Sequence, residues 1–143
     1  MYFAIINGPN LNLLGKREPE IYGSSSFDET LAELRSDFAD YKIEYYQSNS
    51  EGDLIDKVQA YGFDPECQGI VINPGGYAHT SVALADALAA VPALAVEVHI
   101  SNIHAREEFR HRSLTARSCK ALIAGCGQDG YGLALLYLVR VCG

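Results

Sequence analysis

The sequence contains no tryptophan, one methionine and four cysteines among 143 residues. The cysteines show no Cys-x-x-Cys pair and no spacing typical of zinc ligands, so zinc-binding modules are excluded. Because 48% of the residues are hydrophobic, a core can form without disulfides. We therefore expect a cytoplasmic protein with reduced thiols. The cysteines are Cys67, Cys119, Cys126 and Cys142.

Long apolar runs and excess positive charge are also missing. The most apolar stretch, residues 133–141, is too short to span a bilayer, and residues 1–6 favour a strand over a signal peptide. Eleven Lys and Arg against 18 Asp and Glu give a net charge of −7. Such an acidic chain is a poor candidate for binding nucleic acid or an anionic membrane. Local arginines can still hold a small anionic ligand.

Several cofactor and catalytic motifs are absent. We find no GxGxxG fingerprint, no Walker A sequence and no GxSxG nucleophile elbow. The His, Cys and carboxylate residues show no metal-ligand spacing. We therefore expect neither a cofactor nor a metal.

Apolar, β-rich runs alternate along the chain with amphipathic segments. This alternation predicts an α/β fold with a five-stranded parallel sheet, helices on both faces and right-handed crossovers. With no repeat or linker, residues 1–143 are expected to form a single catalytic domain. The strands are predicted near residues 2–6, 41–47, 69–72, 94–99 and 121–124, and the helices begin after Ser26, after Ser50, after Thr80 or Ser81, and at Asp129.

Polar groups follow three of the predicted strands. In parallel sheets, ligands bind beyond the carboxyl ends of the strands, so these groups are expected to converge on one crevice. Glycines in the second segment allow close backbone approach, and the helix start near His79 favours an anionic ligand. The segments are residues 7–12, 73–80 and 97–102.

Glu97 and His99 lie two residues apart in the fourth predicted strand, so their side chains share one face. Burying a carboxylate beside an imidazole costs desolvation energy that an ordinary core avoids. The pattern therefore favours a functional pair. A core histidine with a hydrogen-bonded partner is the alternative.

Residues 11–26 are expected to be irregular, with a lid at about residues 16–24 between Gly15 and Gly23. A phenol is a weak base at neutral pH, but a permanently charged guanidinium stabilises the phenolate. Arg17 and Tyr22 of this lid are therefore a candidate general base. The alternative is that both simply lie on an exposed loop.

Arg106 and Arg110 are four residues apart, so on a helical turn they share a face. They are able to hold ligand oxygens, or to form surface salt bridges. Together with the tyrosine and histidine candidates they indicate a cofactor-free acid/base site. Such a site suits proton abstraction next to a carbonyl, or elimination of water, on a hydroxylated acid.

Five segments in one order give the chain a family resemblance covering about residues 3–138. The chain resembles the type II 3-dehydroquinate dehydratases. The resemblance implies a flavodoxin-like three-layer fold and cofactor-free dehydration of 3-dehydroquinate to 3-dehydroshikimate through an enolate. The reaction would belong to the shikimate pathway of aromatic amino acid biosynthesis or to quinate metabolism. The segments are NGPNLNLLG (7–15), REPEIYG (17–23), INPGGYAHTS (72–81), VEVHISN (96–102) and HAREEFR (104–110).

The resemblance also implies catalytic roles. Tyr22 removes the proton next to the ketone, and Arg17 promotes ionisation of the phenol. Asn12 holds a water that stabilises the enolate. His99 protonates the departing hydroxyl, with Glu97 and Asn73 helping to place the groups around it.

Further roles implied by the resemblance concern the substrate and neighbouring subunits. The substrate carboxylate is expected on the backbone N–H groups of Ile100 and Ser101, and its ring hydroxyls against His79 and Arg110. The family builds trimers that pack into dodecamers, in which Asp86 reaches the site of a neighbouring subunit. A homo-oligomer is therefore expected.

Two alternatives to an active enzyme remain open. A flavodoxin-like phospho-acceptor needs acidic residues at the end of the first strand, where this chain has Asn7 and Asn10. A flavin carrier would be yellow as purified, whereas we expect a colourless protein. An inactive relative is hard to reconcile with the joint presence of Arg17, Tyr22 and His99.

Overall fold

Five parallel strands form one sheet in the computed structural model, which describes residues 1–142. Their spatial order is β2-β1-β3-β4-β5, so the chain builds outwards in opposite directions from β1. The predicted five-stranded parallel sheet is confirmed. The strands are β1 (Tyr2–Asn7), β2 (Lys42–Gln47), β3 (Cys67–Asn73), β4 (Ala95–His99) and β5 (Ala121–Ala124).

Serine side chains begin three of the helices, because each hydroxyl accepts a hydrogen bond from a backbone N–H of the first turn. Ser26 accepts from Glu29 at 3.3 Å, and Ser50 accepts from Asp53 at 3.3 Å. Of the two candidates for the next helix, Ser81 is the cap, accepting at 2.9 Å. The helices are α1 (Pro19–Tyr22), α2 (Phe27–Asp37), α3 (Glu51–Gly62), α4 (Val82–Ala90) and α5 (Asp129–Cys142).

Each face of the sheet buries its own apolar layer, as alternating strand residues require. Phe3 and Ile5 of β1 pack on one side with residues of α2 and α5, including Leu34 and Leu135. Ala4 and Ile6 face the other side, against Leu54 of α3 and Leu84 of α4. The molecule is therefore a three-layer, flavodoxin-like α/β fold, as expected.

The structure corrects two details of the expected elements. Residues 11–26 are not wholly irregular, because they contain a 3-10 turn (Leu11–Leu13) and the short helix α1, which begins at Pro19. Proline suits the first position of a helix because it lacks the N–H that would stay unbonded there. Strands β1 and β3 each end one residue later than predicted, at an asparagine. Asn7 of β1 pairs in register with Asn73 of β3. Within residues 1–142, no helix has the length and apolar character needed to cross a membrane.

Candidate active site

The carboxyl ends of β1, β3 and β4 border an open cleft, and Arg17 and Tyr22 of the lid line one side of it. This is the crevice expected where the strand order reverses. Most of the predicted site residues line it. They are Arg17, Tyr22, Asn73, His79, His99, Ile100, Ser101, Arg106 and Arg110.

Glu97 lies directly behind His99. Its carboxylate is fully buried, and its Oε2 lies 2.8 Å from Nε2 of the imidazole. Because an ionised carboxylate only accepts hydrogen bonds, Nε2 carries the proton, and Nδ1 is the nitrogen left for a ligand. The predicted pair on one face of β4 is present, and the imidazole lines the cleft instead of lying in the apolar core.

The ring of His79 stacks on that of His99, with centroids 5.9 Å apart. Its Nδ1 donates to the backbone carbonyl of Arg112 at 2.8 Å, so Nε2 is the acceptor atom of the neutral ring. Burial lowers the pKa of His79 below its usual range, although the bond to Arg112 partly opposes this. A neutral His79 is therefore suited to accept a hydrogen bond from a ligand hydroxyl.

Two guanidinium groups approach the Tyr22 ring of the lid. The guanidinium carbon of Arg17 lies 4.7 Å from the ring centre, and that of Arg106 lies at 5.3 Å. Both guanidiniums lie close enough to the ring for a cation–π contact. Glycines with positive φ bound this segment, Gly15 at 87° and Gly23 at 85°. The geometry fits a base carried on a lid; its opening and closing stay a prediction.

The cleft has a positive lining in a chain of net charge −7. Arg17, Arg106 and Arg110 contribute to it, and no Asp or Glu is among the described residues that line it. Glu107 pairs with Arg110 at 3.2 Å from an exposed position, so the guanidinium is only partly neutralised. An anionic ligand is therefore favoured in this cleft despite the net negative charge of the chain.

Asn73 is held in one orientation by buried hydrogen bonds. Its Nδ2 donates to the hydroxyl of Tyr131 at 2.9 Å, and its Oδ1 accepts from the Gly75 N–H at 3.1 Å. The Tyr131 hydroxyl in turn donates to Oδ1 of Asn7 at 2.7 Å. Sequence reasoning missed Tyr131, one of two tyrosines in the largely apolar α5.

The structure does not bring Asn12 to the cleft, and this prediction was wrong. Asn10 lines the cleft instead. Asn10 has φ 70° and begins the 3-10 turn, which directs Leu11 and Leu14 into the core and leaves Asn12 exposed. Asn12 borders a separate recess near Tyr45.

Asp86 also lies outside the cleft of its own chain, on an exposed position of α4. Its predicted contact with a neighbouring subunit stays a prediction. Among residues 1–142, no group of three or more His, Cys, Asp or Glu side chains is arranged to hold a metal ion. The chemistry available in the cleft is that of a phenol, two imidazoles and three guanidiniums.

Comparison with known proteins agrees with this geometry. The family model for dehydroquinase class II matches residues 1–139. A 3-dehydroquinate dehydratase of Carboxydothermus hydrogenoformans is 52% identical, with 97% of this chain and 90% of the relative aligned. One from Bacillus pumilus is 48% identical, over 96% and 94% of the two chains. The crystal structure of type II dehydroquinase from Butyrivibrio crossotus, 46% identical, superposes with a TM-score of 0.92 over 97% of each chain. The chain belongs to the class II dehydroquinase family.

Proposed function

We propose that this cleft removes water from 3-dehydroquinate to give 3-dehydroshikimate. The observation that carries the proposal is the placement of Tyr22 and His99 on one cleft. Elimination next to a ketone needs a base for the adjacent carbon and an acid for the departing hydroxyl. The chain supplies one group of each kind, and its relatives are 3-dehydroquinate dehydratases.

Tyr22 acts first, as the base. Arg17 and Arg106 stabilise its phenolate, which takes a proton from the carbon between the ketone and the carbon bearing the leaving hydroxyl. The electron pair moves onto the ketone oxygen, which becomes an enolate. Asn10 lines the cleft and Asn12 does not. The amide of Asn10 is therefore the one suited to hold a water beside this oxygen.

His99 then acts as the acid. Its Nδ1–H protonates the hydroxyl as the carbon–oxygen bond breaks, the enolate collapses to the conjugated enone, and water leaves. Glu97 stabilises the imidazolium that precedes this transfer, because its carboxylate contacts Nε2 at 2.8 Å. Asn73 holds the groups around the reacting carbons, since its amide is fixed by Tyr131.

The substrate is anionic and hydroxylated, and the cleft matches both properties. We assign its carboxylate to the backbone N–H groups of Ile100 and Ser101 at the end of β4. The hydroxyls on the ring are assigned to Nε2 of His79 and to Arg110, and Arg106 adds positive charge above Tyr22.

Residues 1–143 act in this proposal as one catalytic domain without a cofactor, in the shikimate pathway or in quinate metabolism. The free thiols favour a cytoplasmic location. Trimers packed into a dodecamer would bring the exposed Asp86 to a neighbouring cleft. Sedimentation equilibrium tests the assembly, and a monomer that is fully active would contradict the role of Asp86.

The decisive experiment follows the absorbance of the conjugated enone after 3-dehydroquinate is added. Tyr22→Phe should lower kcat by at least about 100-fold, since the base is removed. Its dissociation constant for the substrate should stay within about tenfold, or about 1.4 kcal/mol. Tyr41→Phe is the matched control, because Tyr41 packs on Phe3 away from the cleft.

Three outcomes would contradict the proposal. If the wild type showed no turnover, the remaining interpretations would be a binding protein or an inactive relative. Full turnover by Tyr22→Phe would assign the base to another group. A yellow protein as purified would favour a flavin carrier.

A further inference from the structure

The segment Arg112–Thr115, here called the tether, contacts the imidazole of His79 directly and is linked to the imidazole of His99 through Glu97. We propose that Ser113 and Thr115 are positioning residues, whose hydroxyls hold Glu97 as a carboxylate and so fix the proton on Nε2 of His99. This inference rests on the proposed dehydratase activity for its kinetic consequences. Its structural consequences can be measured without substrate.

The two hydroxyls act on separate oxygens of Glu97. Ser113 donates to Oε2 at 2.6 Å, the same oxygen that His99 contacts, and Thr115 donates to Oε1. Glu97 and Thr115 are fully buried, so no solvent replaces the Thr115 donor when it is lost. A buried carboxylate is stable only when such donors satisfy it.

The direction of the Ser113 proton follows from a further contact. The backbone N–H of Ala116 donates to Oγ of Ser113 at 3.1 Å and occupies one of its lone pairs. The hydroxyl hydrogen is thereby free to point at Glu97. A donor held in this way favours the ionised form of the carboxylate over the protonated form.

The tether also fixes the second imidazole. The carbonyl of Arg112 accepts from Nδ1 of His79, and the N–H of Leu114 donates to the carbonyl of Ala78 at 2.7 Å. The two rings stack, so a shift of the tether would disturb both. One short segment therefore determines which nitrogen of each histidine faces the ligand.

Other charged and titratable groups near this pair are few. His79 stacks on His99, and Arg106 and Arg110 line the cleft beside it. Burial and the Glu97 charge raise the pKa of Cys119 to about 12, so it remains a neutral thiol. The change in protonation that the tether controls is thus expected at the Glu97–His99 pair.

The test uses Ser113→Ala and Thr115→Val, which remove a donor and keep nearly the same volume. Thr115→Ser restores the hydroxyl and should rescue the second variant. Thr30→Val is the matched control, because Thr30 is also buried and hydrogen-bonded but does not line the cleft.

In each variant lacking a donor we expect the alkaline limb of the kcat profile to move up by about one pH unit, because a carboxylate with fewer donors is a stronger base and the Glu97–His99 pair keeps its proton to higher pH. On the plateau of the profile kcat should fall about tenfold, because the shared proton lies on Glu97 for more of the time, with KM changed less than about threefold. Imidazole ¹⁵N spectra of the ligand-free protein should change from one His99 tautomer to a mixture. Thr115→Ser and Thr30→Val should keep the wild-type spectrum.

A variant that keeps the wild-type pH profile and tautomer would overturn the inference. If kcat fell by the same factor at every pH, and Thr30→Val showed the same fall, the two hydroxyls would have only a structural role. That result would also overturn the inference. A wild type without turnover would refute the dehydratase activity alone. The tautomer spectra would then still decide whether the tether positions His99.

Discussion

Tyr131→Phe tests the buried hydrogen-bond chain that holds Asn73. The substitution removes one oxygen from the centre of the molecule and leaves the ring packed against Phe27. Two amides then lose a partner, because the hydroxyl accepts from Asn73 and donates to Asn7. Both asparagines are at most 3% exposed, so water cannot replace the lost contacts without opening the core.

The magnitude follows from these two unsatisfied groups. A buried polar group without a partner costs about 1–3 kcal/mol, so two of them should lower the free energy of unfolding by about 2–6 kcal/mol. The bond that Asn7 Nδ2 donates to the Tyr45 hydroxyl at 3.3 Å stays in place but does not satisfy Oδ1. Asn73 then keeps only the bond from the Gly75 N–H, so its side chain is less firmly oriented and kcat/KM should fall by about tenfold.

Urea unfolding measures the stability change, with an unchanged m-value as evidence that the native state is still compact. Tyr137→Phe is the control on the same helix, outside this chain of hydrogen bonds, and should cost less than about 0.5 kcal/mol. A Tyr131→Phe protein as stable as the control would refute the reasoning. So would a large loss of stability with a wild-type kcat/KM, because Asn73 would then not depend on this contact.

The same phenol gives a second test at high pH. Burial raises the pKa of Tyr131 above its usual value, although the bonds to the two asparagines oppose this. Above about pH 10 the unfolded chain loses this proton while the folded chain keeps it, so stability falls as the pH rises. Tyr131→Phe should therefore show a weaker loss of stability between about pH 10 and 11 than the wild type.

Two further comparisons use pairs of matched positions. Asn10→Ala should lower kcat by about tenfold or more, whereas the kcat of Asn12→Ala should stay near that of the wild type. Steady-state kinetics measure both variants. A large loss of kcat in Asn12→Ala with little change in Asn10→Ala would return Asn12 to the site. Gly62→Ala should destabilise the fold by about 1–3 kcal/mol, because its Cβ would lie 2.4 Å from Val91. In Gly52→Ala, in the same helix, the nearest atom to the new Cβ would be 3.9 Å away, so this substitution should stabilise the fold by about 0.5–1 kcal/mol. If urea unfolding gave the same stability change for both variants, the packing argument would be contradicted.

Much of the fold could be predicted from local patterns. The serine caps and the apolar strands follow from chemistry within a few residues, which is why the Ser26 and Ser50 caps could be predicted and Ser81 was one of two candidates. The Glu97–His99 pair could also be predicted, because a two-residue spacing puts both side chains on one face of a strand.

The errors and omissions involve contacts that sequence spacing does not encode. Which asparagine of NGPNLN faces the cleft depends on the positive φ of Asn10, and nothing in the residue order distinguishes it from Asn12. Tyr131 contacts Asn7 from 124 positions away, and Thr115 contacts Glu97 from the loop between β4 and β5. These partners could be found only once the sheet had brought their elements together.

The arginines of the cleft have a consequence for how a substrate arrives. The net charge of −7 repels a small anion at a distance, whereas Arg17, Arg106 and Arg110 attract it at the cleft. Capture from solution is therefore steered towards one opening, over a range of about 8 Å at physiological ionic strength. Added salt should slow the encounter while leaving the bond-breaking steps inside unchanged.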